Sequence, residues 1–484
     1  MESRYIVAVE IGSSKIKGIA AAVEENSRLA IVAVEETDSA DSVRHGRVQN
    51  AREVAVRVND IIRRLENNPR LAKGVIKSVY VSNGGRSVMS SPSQAEITLG
   101  GDVEITTATL EKLHQAARYN LATDRDILAI SDRRYTVDGS EVKKIVGTFG
   151  RTVRGEFTIV TASPENRRNL ERVSIESRGG NVEQLYIPRP VALADMLLTN
   201  SERQLGCVLI DFGAETTTLA VYRDNALQLM TTLPMGGVNI TRDLSTGLGI
   251  TLENAENIKI TKGRAIADSK FSTADNEETE INNYISARTG EIIANVVNYM
   301  DHAGIKFEDL PGGVIITGGG AKLAGLAEML TSQTQAKVRQ ANIDADICAS
   351  SFGKPDNADV IALVKYAAAQ GAKSCIEFVS EKVAEPATQR PASEAGTGTL
   401  GFEPMKVGNR TNAPGLNDPG LLDDDPDEIY TDPPLDDDND ELPPPAKTKD
   451  ETRQNLMKKL KSFFTKPTDE NDLDNENDSE NDLD

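Results

Sequence analysis

The feature that most constrains this chain is a pattern that occurs twice. Residues 207–222 read CVLIDFGAETTTLAVY: an apolar run, Cys207 to Ile210, then Asp211, a tight turn containing Gly213, three threonines, and a second β-prone run from Leu219 to Tyr222. Residues 5–19 read YIVAVEIGSSKIKGI: a strand pattern over Tyr5–Val9, then Glu10, a turn at Gly12-Ser13-Ser14, and strand character again from Lys15 to Ile19. Two β-prone runs around a short glycine turn read as a hairpin. An acid at the tip of a buried strand, beside backbone amides laid bare by a glycine, can meet a phosphate and its magnesium ion. Taken singly, either stretch reads equally well as an ordinary hairpin with a polar turn. Taken together, about two hundred positions apart, they suggest two similar half-domains facing one nucleotide.

A third segment fits the same ligand. Residues 313–330 read GVIITGGGAKLAGLAEML: a buried strand at Val314–Thr317, then Gly318, Gly319 and Gly320, then a helix pattern. Three glycines admit a ligand where a Cβ would stand in the way. A helix N-terminus beside them is expected to offer free amides and partial positive charge. Between the second hairpin and this segment come Gly236 and Gly237, a helix pattern from Val238 to about Leu248, and the run LENAENIKITKG from Leu252 to Gly263. Glu256 and Lys259 share a face of that helix. They read either as a surface ion pair of little energetic consequence or as a clasp on a ribose and an adenine.

The rest of the chain frames these motifs. Asn50 is a plausible N-cap for a helix from Arg52 to about Leu65, where Val54, Val58, Ile61, Ile62 and Leu65 recur at helical spacing. Strands are expected at Leu29–Val34 and Ser78–Ser82. Residues 82–163 break the pattern with β-like runs at Glu96–Leu99, Ile127–Ser131, Arg134–Val137 and Phe157–Thr161 and one helix near Thr107–Tyr119, which reads as a small α+β insertion. Ser163-Pro164 opens a further helix, Val182–Tyr186 a strand, and Pro188–Leu198 a helix.

The 484 residues are too many for one simple core. Charge is unevenly spread. From Glu385 onward there are 26 acidic and 10 basic residues, so that stretch carries −16 of the formal −21, and 12 of the 20 prolines also lie there. The body is therefore a mildly acidic globular protein without the basic stripe that nucleic acid needs. Three cysteines, Cys207, Cys348 and Cys375, form no CxxC pair, and three scattered histidines suggest no metal cluster. Arg4-Tyr5-Ile6-Val7 enters a strand directly, so no signal peptide is expected. No apolar run approaches the roughly 20 residues of a spanning helix. The expectation is a cytoplasmic protein unless something anchors it peripherally.

Residues 385–447 mix Pro, Gly, Asp and Asn and read as a disordered acidic linker. Its ends would lie on the order of 40–50 Å apart as a free coil. Residues 448–467 then read as an amphipathic helix with Thr448 and Glu451 at capping-box spacing. Leu456, Met457, Leu460, Phe463 and Phe464 fill an arc of about 120°. Lys458, Lys459, Lys461 and Lys466 lie outside it, and Pro467 ends the helix. Docking in a protein groove is one use of such a helix. An anionic membrane surface is the preferred one, with Leu456, Met457, Lys458, Lys459, Leu460, Lys461, Phe463 and Phe464 as the membrane-binding set. Residues 468–484 add nine acidic side chains and no basic ones, a tail expected to weaken that attachment.

Residues 5–19, 207–222 and 313–330 resemble the two phosphate motifs and the adenosine motif of the actin-like ATPase superfamily, and Ala255–Lys259 resembles its adenine-holding helix. The VEIGSSKIKG opening, the insertion, the TGGGAKLAGL motif and the terminal helix are together similar to the FtsA family of bacterial cell-division proteins. The resemblance implies an α/β, actin-like (ribonuclease-H-like duplicated) two-domain fold with an inserted subdomain 1C. Subdomain 1A would occupy 1–81 and 164–204, with 1C at 82–163. Subdomain 2A would occupy 205–237 and 312–384, the latter returning to 1A, and 2B 238–311. It implies ATP and Mg2+ as cofactors. The nucleotide would be held by Glu10, Gly12, Ser13, Ser14, Lys15, Asp211, Gly213, Ala214, Glu215, Thr216, Gly236, Gly237, Glu256, Lys259 and Gly318–Gly320, and the metal by Asp211 through water. It implies FtsZ, further copies of this chain and downstream cell-division proteins as partners, at the cytoplasmic face of the inner membrane at the septum. FtsZ contact would fall in subdomain 2B. The second phosphate motif usually runs Asp-x-Gly-Gly-Gly-Thr-x-Asp; here Ala214, Glu215 and Thr218 depart from it, which favours nucleotide binding over turnover. No catalytic residue is assigned. A sugar- or acetate-type kinase and a PilM-like pilus adaptor share such a clamp. Neither needs the terminal helix, and no second-substrate constellation is visible for a kinase.

Overall fold

The computed structural model describes residues 4–24, 28–71, 73–121, 124–265, 277–343 and 354–378. Two sheets carry the fold. The first has five strands in the order Glu183–Pro188, Ser78–Asn83, Arg4–Ile11, Lys15–Val23, Leu29–Asp38. Its first hairpin continues antiparallel into the third strand, and the two later strands join parallel on the other side. The second sheet repeats that plan. Ala226–Leu233, Thr217–Arg223 and Cys207–Phe212 run antiparallel, and Gly313–Thr317 and Val338–Gln340 add parallel to them. The twofold pattern read in the sequence is thus a duplication of a whole topology.

Local chemistry sets the elements. Helix Ala51–Glu66 starts at Asn50, whose side chain accepts from the Glu53 amide, and it buries Val54, Val58, Ile61, Ile62 and Leu65. Those five large apolar side chains lock the helix onto the first hairpin, so tightly that Ile61 and Leu65 lie over Gly18 where a side chain would stand. The strand Ala226–Leu233 follows a turn at Asp224 and Asn225, both left-handed, as a two-residue hairpin loop requires. The chain ends its described part back on the first half. Helix Ala358–Ala369 joins the same core as Ile6–Val9, and Ile376–Phe378 pairs with Gly74–Ile76.

The insertion has its own small core of Ala95, Ile105, Leu113, Ala117, Val137, Ile145, Val153, Phe157 and Ile159. Its strands are longer than the sequence runs suggest: Met89–Glu104, Asp126–Val137 and Phe149–Ala162. The runs Ile127–Ser131 and Arg134–Val137 are one strand, because Phe157 opposes Asp132 while Glu156 opposes Arg134, and Arg133 is bulged out between them. Although the insertion interrupts the first half in sequence, its sheet joins the second half at Met89 and Thr231, making nine strands in all. Two side-chain bonds reinforce that seam: Leu227 N to Ser131 Oγ at 3.0 Å and Met230 N to Ser90 Oγ at 2.8 Å.

One further expectation is corrected. The helix placed directly after Gly318–Gly320 is a 3-10 turn, Gly319–Lys322, and the α-helix starts only at Leu326. The amides beside the three glycines therefore belong to a tight turn and not to a helix N-terminus. The long helix Glu277–His302 was not legible as a stripe, because it buries Asn282, Ser286, Thr289 and Gly290 among its apolar residues. No helix among the described residues is long and apolar enough to cross a membrane. Cys207 and Cys375 are buried thiols.

Candidate functional site

The two acidic hairpins are superposable in their bonding. Gly12 N donates to Lys15 O at 3.0 Å, and Gly213 N donates to Thr216 O at 2.8 Å. Glu10 opposes Lys17 across the first hairpin, and Asp211 opposes Thr218 across the second. Each turn thus presents its residues at the end of a buried strand with the same geometry.

A single turn brings the two tips together. The short strands Val43–Arg44 and Arg47–Val48 are joined by His45 (φ 48°) and Gly46 (φ 71°), a two-residue loop with both residues left-handed. Gly46 N donates to Ser13 Oγ at 2.8 Å, and His45 N donates to Glu215 Oε2 at 2.7 Å. Adjacent backbone amides therefore touch the tip of each hairpin, so both turns border one cleft. The rest of the first tip is fastened by Ser39, whose amide donates to Ser14 O at 3.0 Å and whose hydroxyl donates to Gly12 O at 2.5 Å. Lys15 pairs with Glu36 at 2.5 Å.

Glu215 turns away from Ala214 and across the cleft. Its other oxygen lies 3.5 Å from Arg242, and its carbonyl is 3.1 Å from His45 Nδ1. Thr216 is buried beside it, and Thr217 Oγ1 donates to Met235 O at 2.8 Å. The hydroxyl of Thr218 is 3.0 Å from that of Thr232 within the sheet, so it does not take up the role of an acid at the cleft.

Gly236 and Gly237 press on the second turn. Gly237 N donates to Gly213 O at 3.0 Å and Val238 N to Ala214 O at 2.8 Å, and a Cβ on Gly236 would come within 2.6 Å of Gly213 O. Lys259 reaches the same place: its Nζ donates to Gly237 O at 3.1 Å, to Thr241 Oγ1 at 2.9 Å and to Glu256 Oε2 at 2.7 Å, and Thr241 also donates to Glu256. The Glu256–Lys259 pair is therefore anchored to the second turn, not free on the surface, with the lysine largely covered and the glutamate half open. Gly318 (φ 90°) packs under Asp211, where a Cβ would lie 2.5 Å from Asp211 Oδ1, whereas Gly319 faces open space. These contacts tie Gly12–Lys15, Asp211–Thr216, Gly236–Gly237, Glu256 and Lys259 into one neighbourhood, with Glu10 at the end of the first strand, Gly318 and Gly320 packed on Asp211 and Phe212, and Gly319 touching none of them. The proposed membrane set, Leu456 to Phe464, lies outside the described residues.

The sequence reading missed two residues of this site. Arg189, the first residue of helix Arg189–Leu197, places Nη2 2.7 Å from Asp211 Oδ2 and Nη1 2.7 Å from Asp359 Oδ1. The signal was present: an arginine in the otherwise apolar run Ile187–Leu193 must find a carboxylate. Its partner Asp359 comes from a segment 170 positions away, which no local pattern reveals. Burial alone would lower the Arg189 guanidinium, but Asp211, Asp359 and Glu10 together hold it above the ordinary arginine value. Burial raises Asp211, against the pull of Arg189. Burial, then the charge of Asp359, pushes Glu10 up to about 8, so it is largely protonated at neutral pH.

This donor set does not fit the water-bridged magnesium expected at Asp211. One oxygen is committed to Arg189, the other lies against Gly318, and the residue is 5% exposed. Among the described residues no group of three or more His, Cys, Asp or Glu side chains is arranged to hold a metal ion.

A duplicated sheet with an acidic glycine hairpin in each half, a glycine segment beside the second, and an insertion in the first defines an actin-like ATPase fold. Comparison agrees. The PilM-PilN type IV pilus biogenesis complex aligns with a TM-score of 0.53 at 19% identity, over 75% of this chain and 98% of that one. The family model "Cell division protein FtsA" matches residues 208–371, and the model "SHS2 domain inserted in FTSA" matches residues 85–161. The cell division protein FtsA of Porphyromonas gingivalis is 30% identical over 411 residues, 81% of this chain and 84% of that protein. That of Neisseria meningitidis is 28% identical over 68% of this chain and 81% of its own length. The chain belongs to the FtsA family of cell division proteins.

Proposed function

We propose that this chain binds ATP in the cleft between its two halves, associates with copies of itself, and ties the FtsZ ring to the cytoplasmic face of the inner membrane during septum assembly. The observation that carries the nucleotide reading is the pair of adjacent amides, His45 and Gly46, bonded to the tips of both hairpins. It sets two glycine turns, each fit to cradle phosphate, around one volume. In this reading Gly12–Lys15 and Gly213–Thr216 hold the phosphates, Gly318–Gly320 line the adenosine, and Glu256 and Lys259 meet ribose and base. Family membership supports the role in division, and the insertion fused to the second half's sheet gives a rigid surface for contact between copies.

Binding is favoured over turnover. The Thr218 hydroxyl is spent on Thr232, Asp211 is held by Arg189, and Glu10 is largely protonated near neutrality, so none of these three positions offers a free carboxylate to activate water. Attachment to lipid rests on the amphipathic pattern at 448–467. One such helix holds weakly, and an array of copies multiplies it.

The test is co-sedimentation of FtsZ with vesicles containing anionic lipid. FtsZ is expected in the vesicle pellet only when the full chain and ATP are added. A chain that pellets with vesicles while leaving FtsZ in the supernatant contradicts the tether.

A further inference from the structure

We infer that Arg189 stands in this cleft where a hydrated divalent cation would stand, so that nucleotide binding does not depend on magnesium. The inference rests on the nucleotide reading above. Magnesium serves a polyphosphate in two ways: it neutralises charge, and it fixes geometry through waters held by protein carboxylates. Asp211 is the acid placed for that task, and its geometry withholds it. Oδ2 is 2.7 Å from Arg189 Nη2, and Oδ1 faces Gly318 so closely that a Cβ there would lie 2.5 Å from it. The guanidinium is fixed from its other end by Asp359 at 2.7 Å, and its side chain is 13% exposed. A planar, permanently charged fork held at both ends is a rigid cation that neither dissociates nor needs a coordination shell.

Further positive charge follows from the neighbouring residues. Lys15 and Lys17 lie on the strand that leaves the first turn, and Lys322 on the turn that follows Gly318–Gly320. Lys17 donates to the Asp356 carbonyl, and Lys322 pairs with the Asp356 carboxylate. Two lysines, one from each half, thus meet at Asp356, three positions before Asp359, while Lys15 pairs with Glu36. Lys17, whose ammonium meets a carbonyl, adds counter-charge of the kind that a metal brings to a triphosphate.

Titration calorimetry of ATP into the full chain decides the matter, once in excess EDTA and once in millimolar magnesium. The affinity is expected to agree within about threefold between the two, less than 1 kcal/mol. Arg189→Gln exposes Asp211 and leaves buried carboxylates facing the phosphates. It should weaken ATP by about tenfold in EDTA and recover when magnesium is added. Arg189→Lys keeps the charge and should remain indifferent to the metal. Loss of about tenfold or more by the native chain in EDTA overturns the inference while leaving the nucleotide site standing. No heat of binding in either buffer overturns the nucleotide reading, and the inference with it. The native comparison requires no variant, so the result stands even where Arg189→Gln unfolds.

Discussion

Glu215 Oε2 accepts a hydrogen bond from the backbone amide of His45 at 2.7 Å, which ties the tip of the second hairpin to a turn of the first half. The bond places a carboxylate among the amides that a triphosphate would use. Of the two neighbouring amides, Gly46 N goes to the Ser13 hydroxyl, and His45 N is the one that meets an anion. Glu215 plays that anion within the chain itself.

Replacing Glu215 therefore changes the preference between nucleotides. Glu215→Ala removes a charge that repels the terminal phosphate, on the order of 1 kcal/mol for partly screened neighbours. ATP affinity is expected to rise about three- to tenfold relative to ADP, as measured by competition with a fluorescent nucleotide. A uniform loss of both nucleotides would show that Glu215 holds the cleft together and does not compete with phosphate.

Gly318 and Gly319 separate fold from ligand. A Cβ on Gly318 would lie 2.5 Å from Asp211 Oδ1 at a φ of 90°, so Gly318→Ala should cost about 2–4 kcal/mol in chemical denaturation. Gly319 has nothing within 4 Å of a built Cβ. Gly319→Ala should leave stability unchanged and weaken ATP, because the methyl group enters the space assigned to adenosine. Equal thermal losses in both variants would remove Gly319 from the site.

Glu10 makes stability depend on pH with a definite sign. Its folded value of about 8 lies above the ordinary glutamate value of 4.5, so the folded chain holds a proton that the unfolded chain releases. Stability from this group is complete below about 4.5, falls as pH rises toward about 8, and is flat beyond. Glu10→Gln keeps the shape without the titration. Denaturation midpoints of native and variant should diverge across that window, the variant becoming the more stable. A constant difference from pH 5 to 8 would place the Glu10 titration elsewhere.

The acidic tail modulates the membrane helix. Truncation after Pro467 removes nine acidic residues that compete with lipid for Lys458, Lys459 and Lys461. Vesicle co-sedimentation of the truncated chain should exceed that of the full chain at low salt and converge with it at high salt. Identical binding at low salt would leave the tail without this role.

What was legible in the sequence was local. Asn50 and the spacing of Val54 to Leu65 announced a helix because a cap and an apolar stripe are both written within one element. The two hairpins were legible because each acid, glycine and β-branched run is contiguous. The strand Ala226–Leu233 was missed although Asp224-Asn225 is a hairpin turn signal, since Gln228, Thr231 and Thr232 interrupt its apolar run. The Arg189–Asp211–Asp359 bridge was invisible because its residues lie on three separate segments. The same holds for the His45 latch on Glu215, which depends on two left-handed residues that only the folded backbone discloses.

The most direct measurement on the cleft is hydrogen–deuterium exchange of the full chain with and without saturating ATP. One nucleotide held by both duplicated turns predicts slowed exchange at residues 12–15, 213–216 and 318–320 together. Slowed exchange at one hairpin alone, with the other unchanged at saturation, would contradict a shared site.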